Sequence, residues 1–134
     1  MNFVMLCGLI YIVTFTDKSN LCVVVKNIQP GEGNIIVEIY NSEENFLNKA
    51  IVTKKTSASN KSLEFTFELP NGSYAVSAYQ DLNENNQCDK NWFSKPTEPY
   101  GLSNNFRPKF SKPKFQDCKI NLIRNMTEII TLIK

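Results

Sequence analysis

Apolar and polar residues alternate without a break across residues 63–69, which read LEFTFEL. Because successive side chains of a β-strand point to opposite faces, this period of two predicts a strand with its Leu and Phe side chains buried and its Glu and Thr side chains in water. A Pro-Asn-Gly turn follows at 70–72, and Tyr74, Val76 and Ala78 then repeat the alternation. These residues together predict a β-hairpin.

The same period of two recurs on both sides of this hairpin. It marks residues 21–26 and 35–40, with a Pro-Gly-Glu-Gly turn at 30–33 between them, and residues 118–122 and 129–133 near the C-terminus. Short strands separated by Gly, Pro and Asn turns are typical of sandwiches and barrels of antiparallel strands. We therefore expect an all-β fold, a single antiparallel β-sandwich of seven to eight strands.

One short helix is expected at residues 42–49, which read SEENFLNK. Ser42 can cap its first turn, and the two glutamates that follow suit the positive end of a helix dipole. Phe46 and Leu47 would then turn inward, so we expect a helix of at most two turns.

Composition limits the classes of function open to the chain. Its 134 residues provide one domain and one core, and 42% hydrophobic with 21% charged residues is ordinary for a globular protein. The formal net charge of +2 is too small to indicate nucleic acid or an anionic membrane as partner. Histidine is absent, which excludes Ser–His and Cys–His nucleophile pairs and His-ligated zinc. We expect a protein that is not an enzyme, with Lys, Tyr and carboxylate chemistry left open.

The N-terminal residues differ in character from the rest. Residues 3–15, FVMLCGLIYIVTF, carry no charge; they are too short for the ~20 residues that span a bilayer but match the apolar region of a signal peptide. No Lys or Arg precedes them and no clean small-x-small cleavage site follows, so a buried first strand at 10–15 is the alternative. We expect a signal peptide at 1–20 and a β-sandwich domain at 21–134. The mature protein would then be secreted, periplasmic or on the cell surface, without a stable membrane span.

Four cysteines are present, and Cys7 would leave with the signal peptide. Cys22, Cys88 and Cys118 remain, an odd number, so one disulfide and one thiol are expected in an oxidising compartment. A Cys88–Cys118 bond is favoured because it would tie the long segment described next to the strand that follows it. The alternative is three thiols.

Residues 81–117 do not fit the alternating pattern. They include four prolines, and compact domains rarely carry so long an irregular stretch unless it is functional or pinned in place. Its aromatic side chains have too much apolar area to be left in water, so we expect the segment to lie ordered across one end of the sandwich and to form the functional face. These residues are Trp92, Phe93, Tyr100, Phe106, Phe110 and Phe115.

Oxygen-bearing side chains recur at alternate positions where this segment begins. Asp81, Asn83, Asn85 and Asp89 have the spacing with which a calcium loop wraps oxygen ligands round one cation, and Gln87 would add its backbone carbonyl. Two carboxylates balance the charge of Ca²⁺ but favour weak binding. The alternative is a series of Asx turns in a polar loop. Calcium is the one cofactor that the sequence suggests.

The middle of the segment adds further candidates. Trp92 stands where an EF-hand loop has its bidentate Glu, which counts against calcium. Glu98 would donate an oxygen to the cation or cap a turn, and Gly101 permits a turn beside Tyr100. We take Trp92, Glu98, Tyr100 and Asn104 as ligand-binding or structural residues of the loop.

Residues 107–115, RPKFSKPKF, interleave four positive charges with aromatic rings. Such a pattern can bind single-stranded nucleic acid through phosphate contacts and stacking. The run is short and the chain is close to neutral, so we expect a solvated edge with Phe110 and Phe115 buried and no nucleic-acid partner.

Several of these segments together resemble the bacterial family called domain of unknown function 2141. The resemblance rests on residues 69–76, on the Asp81–Asp89 loop, on PTEPYGLSNN at 96–105 and on FQD at 115–117, and it spans residues 21–134. It implies an exported, periplasmic or surface-associated β-sandwich. The Leu-Pro-x-Gly-x-Tyr hairpin is shared with prealbumin-like sandwiches such as carboxypeptidase regulatory domains, so a prealbumin/Ig-like strand arrangement is expected.

The chain departs from the family pattern in and around the loop. Gln80 stands where the family usually has His, and Asn86 and Ser94 stand where it has Gly. If the loop of the family binds metal, these changes weaken that role here.

We expect a non-catalytic binding or structural module of the cell envelope, with an envelope protein or a glycan as its partner. The rival from another class is a hydrolase of glycans that uses Asp81, Asp89 and Glu98, which requires two carboxyl groups facing each other in a cleft. A third hypothesis is a module that only mediates protein interactions, through an exposed aromatic patch that includes Trp92 and Tyr100.

Overall fold

The described residues form eight β-strands, most of them where the alternating pattern is clearest. The computed structural model describes residues 8–10, 12, 17–89 and 96–134. The helical elements of these residues are a 3₁₀ turn at Ser103–Asn105 and a one-turn helix, α1, at Phe115–Cys118. The strands are β1 (Lys18–Lys26), β2 (Asn34–Tyr40), β3 (Val52–Ser57), β4 (Ser62–Pro70), β5 (Gly72–Asp81), β6 (Tyr100–Leu102), β7 (Ile120–Leu122) and β8 (Met126–Thr131).

The strands form two sheets, which confirms the predicted all-β, sandwich-like fold. One sheet has the order β4-β1-β8, and the other has the order β3-β2-β5-β6 with β7 also paired to β5. One pair departs from the expected all-antiparallel arrangement, because β8 runs parallel to β1. The chain reaches β8 from β7, which belongs to the other sheet, and such a crossover permits parallel pairing.

The predicted alternation places one face of each main strand in a shared interior. Phe65 and Phe67 of β4 are buried, and Leu63 packs against the same cluster, as expected. Each fully buried side chain of this kind contributes roughly 1.5–3 kcal/mol through removal of apolar surface from water. The other members from the main strands are Leu21, Val23, Val25, Ile35, Val37, Ile39, Leu69, Tyr74, Val76, Ala78 and Ile130.

The predicted helix at residues 42–49 is wrong, because the structure forms a series of turns there. Ser42 does cap the first turn, since its Oγ accepts a hydrogen bond from the Asn45 amide at 3.2 Å. The path then leaves the helix because Leu47 has a positive φ of 57°. Phe46 still turns inward and packs edge-on against Tyr40, with 5.4 Å between the ring centroids.

A second apolar cluster lies on the outer face of the five-stranded sheet. It contains Tyr40, Phe46, Ala75, Leu102 and Cys118, with Phe106 and Phe115 packed against it. Leu102, Phe106, Phe115 and Cys118 of the long segment therefore pack on the outer face of this sheet, whereas the sequence predicted a segment that lies across one end of the sandwich. Its aromatic residues supply part of the apolar area that holds it there.

The predicted Cys88–Cys118 disulfide is not formed. Cys118 is a free thiol, completely buried in the second cluster among Tyr40, Phe46 and Leu102. Burial raises the pKa of the Cys118 thiol to about 12, and the carboxylates of Asp117 and Glu43 add to the shift.

The free energy of unfolding is expected to fall as the pH rises above 9. An unfolded chain loses the Cys118 proton near the ordinary pKa of 9.0, while the folded protein keeps that proton up to about pH 12. The stabilisation is complete below pH 9 and declines by about 1.4 kcal/mol per pH unit above it. Urea unfolding at pH 8 and pH 10 measures the decrease, and Cys118→Ala should remove about 1.4 kcal/mol of it. An equal decrease in both proteins would contradict the burial of this thiol.

β1 begins at Lys18, inside the predicted signal region of residues 1–20. Most of that region lies outside the described residues, and the signal peptide itself stays a prediction. Within the part of the chain that the structure describes, no helix is both long and apolar enough to cross a membrane.

Candidate functional site

Asp81 organises the loop that follows β5. It is the last residue of the strand and is fully buried. One of its carboxylate oxygens accepts a hydrogen bond from the Asn85 amide at 3.2 Å, and the other accepts one from the Asn86 amide at 2.7 Å. Bonds from backbone N–H groups to a charged carboxylate are stronger than bonds between neutral groups. Asp81 therefore turns the chain back on itself directly after the strand.

Asp89 closes the same loop from its far end. Its two oxygens accept hydrogen bonds from the side-chain amides of Asn83 at 2.5 Å and Asn85 at 2.7 Å. The side-chain oxygens of Asn83 and Asn85 in turn accept bonds from the backbone amides of Asn85 and Gln87, at 3.3 and 3.0 Å. The structure thus brings the predicted residues together as the series of Asx turns that the sequence offered as an alternative.

Glu98 is a buried residue that links this loop to the chain that returns to the sheet. It is only 5% exposed, and its two carboxylate oxygens accept hydrogen bonds from the backbone amides of Leu82 at 2.6 Å and Asp89 at 2.9 Å. The Thr97 amide and hydroxyl both donate to the Asp89 carbonyl, at 2.7 and 3.1 Å. Because Glu98 satisfies two backbone donors at once, it has a structural role in the loop.

A calcium ion would have to share the side-chain oxygens of the loop with the hydrogen-bond donors that already contact them. Each side-chain oxygen of Asp81, Asn83, Asn85 and Asp89 already accepts a hydrogen bond within the loop. Across residues 8–10, 12, 17–89 and 96–134, no group of three or more His, Cys, Asp and Glu side chains is placed to hold a metal ion. Every such oxygen keeps a second lone pair, so the set fits calcium only as a weak site, and calcium stays a prediction.

The calcium hypothesis predicts that millimolar calcium raises the melting temperature. A ligand that binds only the native loop must stabilise it, by about 2.7 kcal/mol at a concentration one hundred times its Kd. Asp81→Asn should abolish the rise, whereas Asp117→Asn, outside the loop, should preserve it. Equal melting temperatures with calcium and with a chelator would show that the hydrogen bonds alone order the loop.

Residues 100–105 tie the long segment to three other parts of the fold. The backbone of Tyr100 pairs with Tyr79 in β5 and exchanges two 2.8 Å hydrogen bonds with Ile133. The Ser103 hydroxyl accepts a bond from the Val76 amide at 2.9 Å and donates to the Cys118 carbonyl. Tyr100 and Ser103 therefore hold the segment against β5, α1 and the residues that follow β8.

The two asparagines after Ser103 act in the same way. Asn104, with a φ of 62°, donates from its side chain to the Lys119 carbonyl at 3.0 Å. The Asn105 side chain donates to the Ile129 carbonyl at 3.1 Å and accepts from the Thr131 amide at 3.0 Å, as a neighbouring strand would. Of the predicted loop residues, Glu98, Tyr100 and Asn104 thus have structural contacts, and Trp92 lies outside the described residues.

A cleft of about 890 Å³ lies between the outer face of the five-stranded sheet and the chain at 108–113. Its floor carries Glu38 and Tyr40 from β2 and Ser77 and Tyr79 from β5. The Tyr40 hydroxyl donates a hydrogen bond to the Glu38 carboxylate and lies 3.4 Å from the Ser77 hydroxyl. The Tyr79 hydroxyl donates to the Asn86 carbonyl at 3.1 Å, which connects the floor to the Asp81–Asp89 loop.

The floor tyrosines remain protonated over the whole physiological range. Burial raises the pKa of Tyr40 far above its ordinary value, and its hydrogen bond to the Glu38 carboxylate adds to the shift. Burial, followed by the Glu38 and Asp81 charges, raises the pKa of Tyr79 as well. Both phenols therefore act as neutral hydrogen-bonding groups, and Glu38 supplies an acceptor.

The rim of the cleft carries positively charged and aromatic side chains. Lys109 and Lys112 line it, and Phe110 between them is 100% exposed. The expectation of a buried Phe110 is therefore wrong, because Phe110 lies in a bend between the prolines at 108 and 113 and its ring is in water. Phe115 is partly buried, with its centroid 6.2 Å from that of Phe46.

Sequence reasoning missed the floor residues Glu38, Ser77 and Tyr79. The available signal was the alternation itself, because Glu38 and Tyr40 fall opposite the core residues of β2, as Ser77 and Tyr79 do in β5. What brings them together is the strand register, which pairs Glu38 with Ser77.

Comparison with known proteins bears on the family. A family described as an uncharacterized protein conserved in bacteria (DUF2141) matches residues 23–130. No curated protein and no solved structure matches the chain, so the prealbumin-like detail stays a prediction. The matched range contains β2 to β7, the Asp81–Asp89 loop and the whole floor of the cleft. The chain therefore belongs to the DUF2141 family.

Proposed function

We propose that this chain is a non-catalytic binding module of the bacterial cell envelope, and that the cleft on its five-stranded sheet takes a glycan. The observation that carries the proposal is the floor, where a carboxylate and three hydroxyl groups lie beneath one cleft: Glu38, Tyr40, Ser77 and Tyr79. A sugar presents hydroxyl groups that donate and accept hydrogen bonds in the same plane. Binding sites commonly combine a few such polar groups with apolar walls.

The walls and rim support a sugar with an acidic group. Tyr100, Phe46 and the proline rings at 96, 108 and 113 line the cleft and offer flat apolar surface to the C–H face of a sugar ring. Lys109 and Lys112 offer positive charge at the opening. An acidic amino sugar such as N-acetylmuramic acid, which bacterial cell walls contain, has this combination of groups.

The carboxylates support binding over catalysis. The hydrolase hypothesis needs two of Asp81, Asp89 and Glu98 to face a shared cleft with oxygens available to substrate. Both oxygens of each of these residues accept hydrogen bonds from the loop itself. None of the three lines the cleft.

The envelope location is supported by sequence. The uncharged apolar run at 3–15 has the length of a signal-peptide core, and the matching family is described as conserved in bacteria. Periplasmic fractionation of the tagged full chain tests the location by itself.

Titration with the disaccharide N-acetylglucosaminyl-N-acetylmuramic acid, followed by NMR, tests the ligand. We expect the amides of Glu38, Ser77 and Tyr79 to shift, and Glu38→Gln to weaken binding about tenfold, the equivalent of about 1.4 kcal/mol. Neutral chitobiose should bind more weakly than the acidic disaccharide because it has no group for Lys109 and Lys112.

The matched control for this titration is Glu64→Gln. Glu64 is exposed on the outer face of the other sheet, so its substitution removes the same charge without touching the cleft. Equal loss of affinity in Glu38→Gln and Glu64→Gln, or no shift at any floor amide, would count against the cleft as a glycan site.

A protein partner is the second candidate, and Phe110 is the observation that favours it. Phe110 is fully exposed, and aromatic residues are enriched where protein surfaces bind one another. Phe110→Ser should then abolish capture of an envelope protein.

A further inference from the structure

The first residues of β1 belong to the folded domain. Lys18 pairs with Pro70, Ser19 with Leu69 and Asn20 with Glu68, in the same register that continues to the end of the strand. The strand thus starts three residues before Leu21, where the sequence analysis placed the start of the domain.

Hydrogen bonds fix these residues to two separate turns. The Asn71 amide donates to the Asp17 carbonyl at 2.7 Å, and the Ser19 hydroxyl donates to the Asn71 side-chain oxygen at 2.6 Å. The Asn20 amide donates to the Asn125 side-chain oxygen at 2.8 Å. Loss of Asp17 to Asn20 would leave the polar groups of both turns without these partners.

A chain that started at Leu21 would also place a charge inside a sheet. Leu21 is 0% exposed, and it lies between Phe67 of β4 and Met126 of β8. Its backbone nitrogen would become a charged α-ammonium group in the central strand, and burial of such a charge without a partner is costly.

The apolar side chains described before Asp17 are exposed, in contrast to the buried Leu21. Leu9 is 74% exposed, Ile10 86% and Ile12 80%, so the fold leaves their apolar side chains in water. Their removal costs the domain no buried surface and removes an apolar segment from solvent.

We infer that proteolytic processing of this chain cuts on the N-terminal side of Asp17, so that the mature protein retains Asp17, Lys18, Ser19 and Asn20. The inference rests on the export part of the proposed function. The peptidase hydrolyses one peptide bond with water. A cut on the C-terminal side of Asp17 would remove residues that the first strand needs.

Expression of the full chain with a C-terminal tag, followed by fractionation and intact-mass measurement, tests the inference. We expect a cleaved, exported form whose first residue is Asp17 or an earlier one, and an exported chain that still begins at Met1 would overturn the inference. An exported form that begins at Lys18 or later would overturn the inference and leave the export proposal intact. An uncut chain confined to the cytoplasm would overturn both.

Two truncated chains provide a measurement that does not depend on export. We expect the chain that begins at Asp17 to keep the melting temperature of the full chain, and the chain that begins at Leu21 to melt at least 10 °C lower or to remain unfolded, which corresponds to a loss of roughly 2 kcal/mol for a domain of this size. Equal melting temperatures would overturn the structural limit at Asp17.

Discussion

Replacement of Phe67 by alanine is expected to lower the free energy of unfolding by about 3–5 kcal/mol. Phe67 is buried in the main core, opposite Leu21 in the neighbouring strand. The substitution removes apolar area and leaves a cavity that the two packed sheets cannot easily fill. Lys54 also loses a contact, because its ammonium group lies 4.8 Å from the centre of the Phe67 ring.

Thr66→Ala is the matched control for this experiment. Thr66 is the preceding residue of β4 and is exposed, so its substitution should cost less than about 1 kcal/mol. Urea unfolding of the two variants measures the difference. Similar losses in both would mean that β4 does not turn its Phe residues into a shared interior.

Gly33→Ala is expected to have the next largest effect, a loss of about 3–5 kcal/mol. Gly33 has a φ of +65°, and a methyl group on it would lie 2.0 Å from the backbone oxygen of Asp81. A backbone atom of a central strand cannot move aside as a flexible side chain would. The substitution therefore separates β2 from the residue that organises the candidate loop.

Gly31→Ala separates the conformational part of this effect from the steric part. Gly31 lies in the same turn and has a φ of +84°, but a methyl group there would meet nothing within 4 Å. Only the cost of the left-handed backbone remains, about 1–2 kcal/mol. Thermal melts of both variants give the comparison, and equal losses would contradict the close approach of Gly33 to Asp81.

The main strands could be predicted from the sequence because local alternation is enough to define them. The burial of Phe65 and Phe67, and the turn at Pro70, depend on neighbouring residues only. The parallel pairing of β1 with β8 could not be predicted, since it depends on which sheet the chain enters after β7. The turns at 42–49 were missed because capping by Ser42 is a local signal for a helix. The packing of Phe46 against Tyr40 involves a different element, β2, and no local signal shows it.

One part of the candidate site could likewise be predicted from the sequence, and another part could not. The loop residues Asp81, Asn83, Asn85 and Asp89 were identifiable because their spacing is local, although spacing alone did not distinguish Asx turns from calcium ligands. The alternation puts the floor residues on the outer faces of β2 and β5, but their meeting in one cleft was not identifiable, because it depends on the register of Glu38 with Ser77. Polar residues on a strand face ordinarily indicate solvent, and only the covering segment makes this face a cleft.

Amide hydrogen exchange at Leu82, Asn86 and Asp89 tests the central claim most directly. These three amides donate to the carboxylates of Glu98 and Asp81, and they hold the loop in place beside the floor of the cleft. An ordered loop predicts that they exchange as slowly as the amides within β5, because they open only when the sheet does. Exchange at the rate of an exposed turn residue such as Asn60 would show that the loop is not held beside the floor, and the wall that Asn86 and Gln87 give to the proposed cleft would not exist.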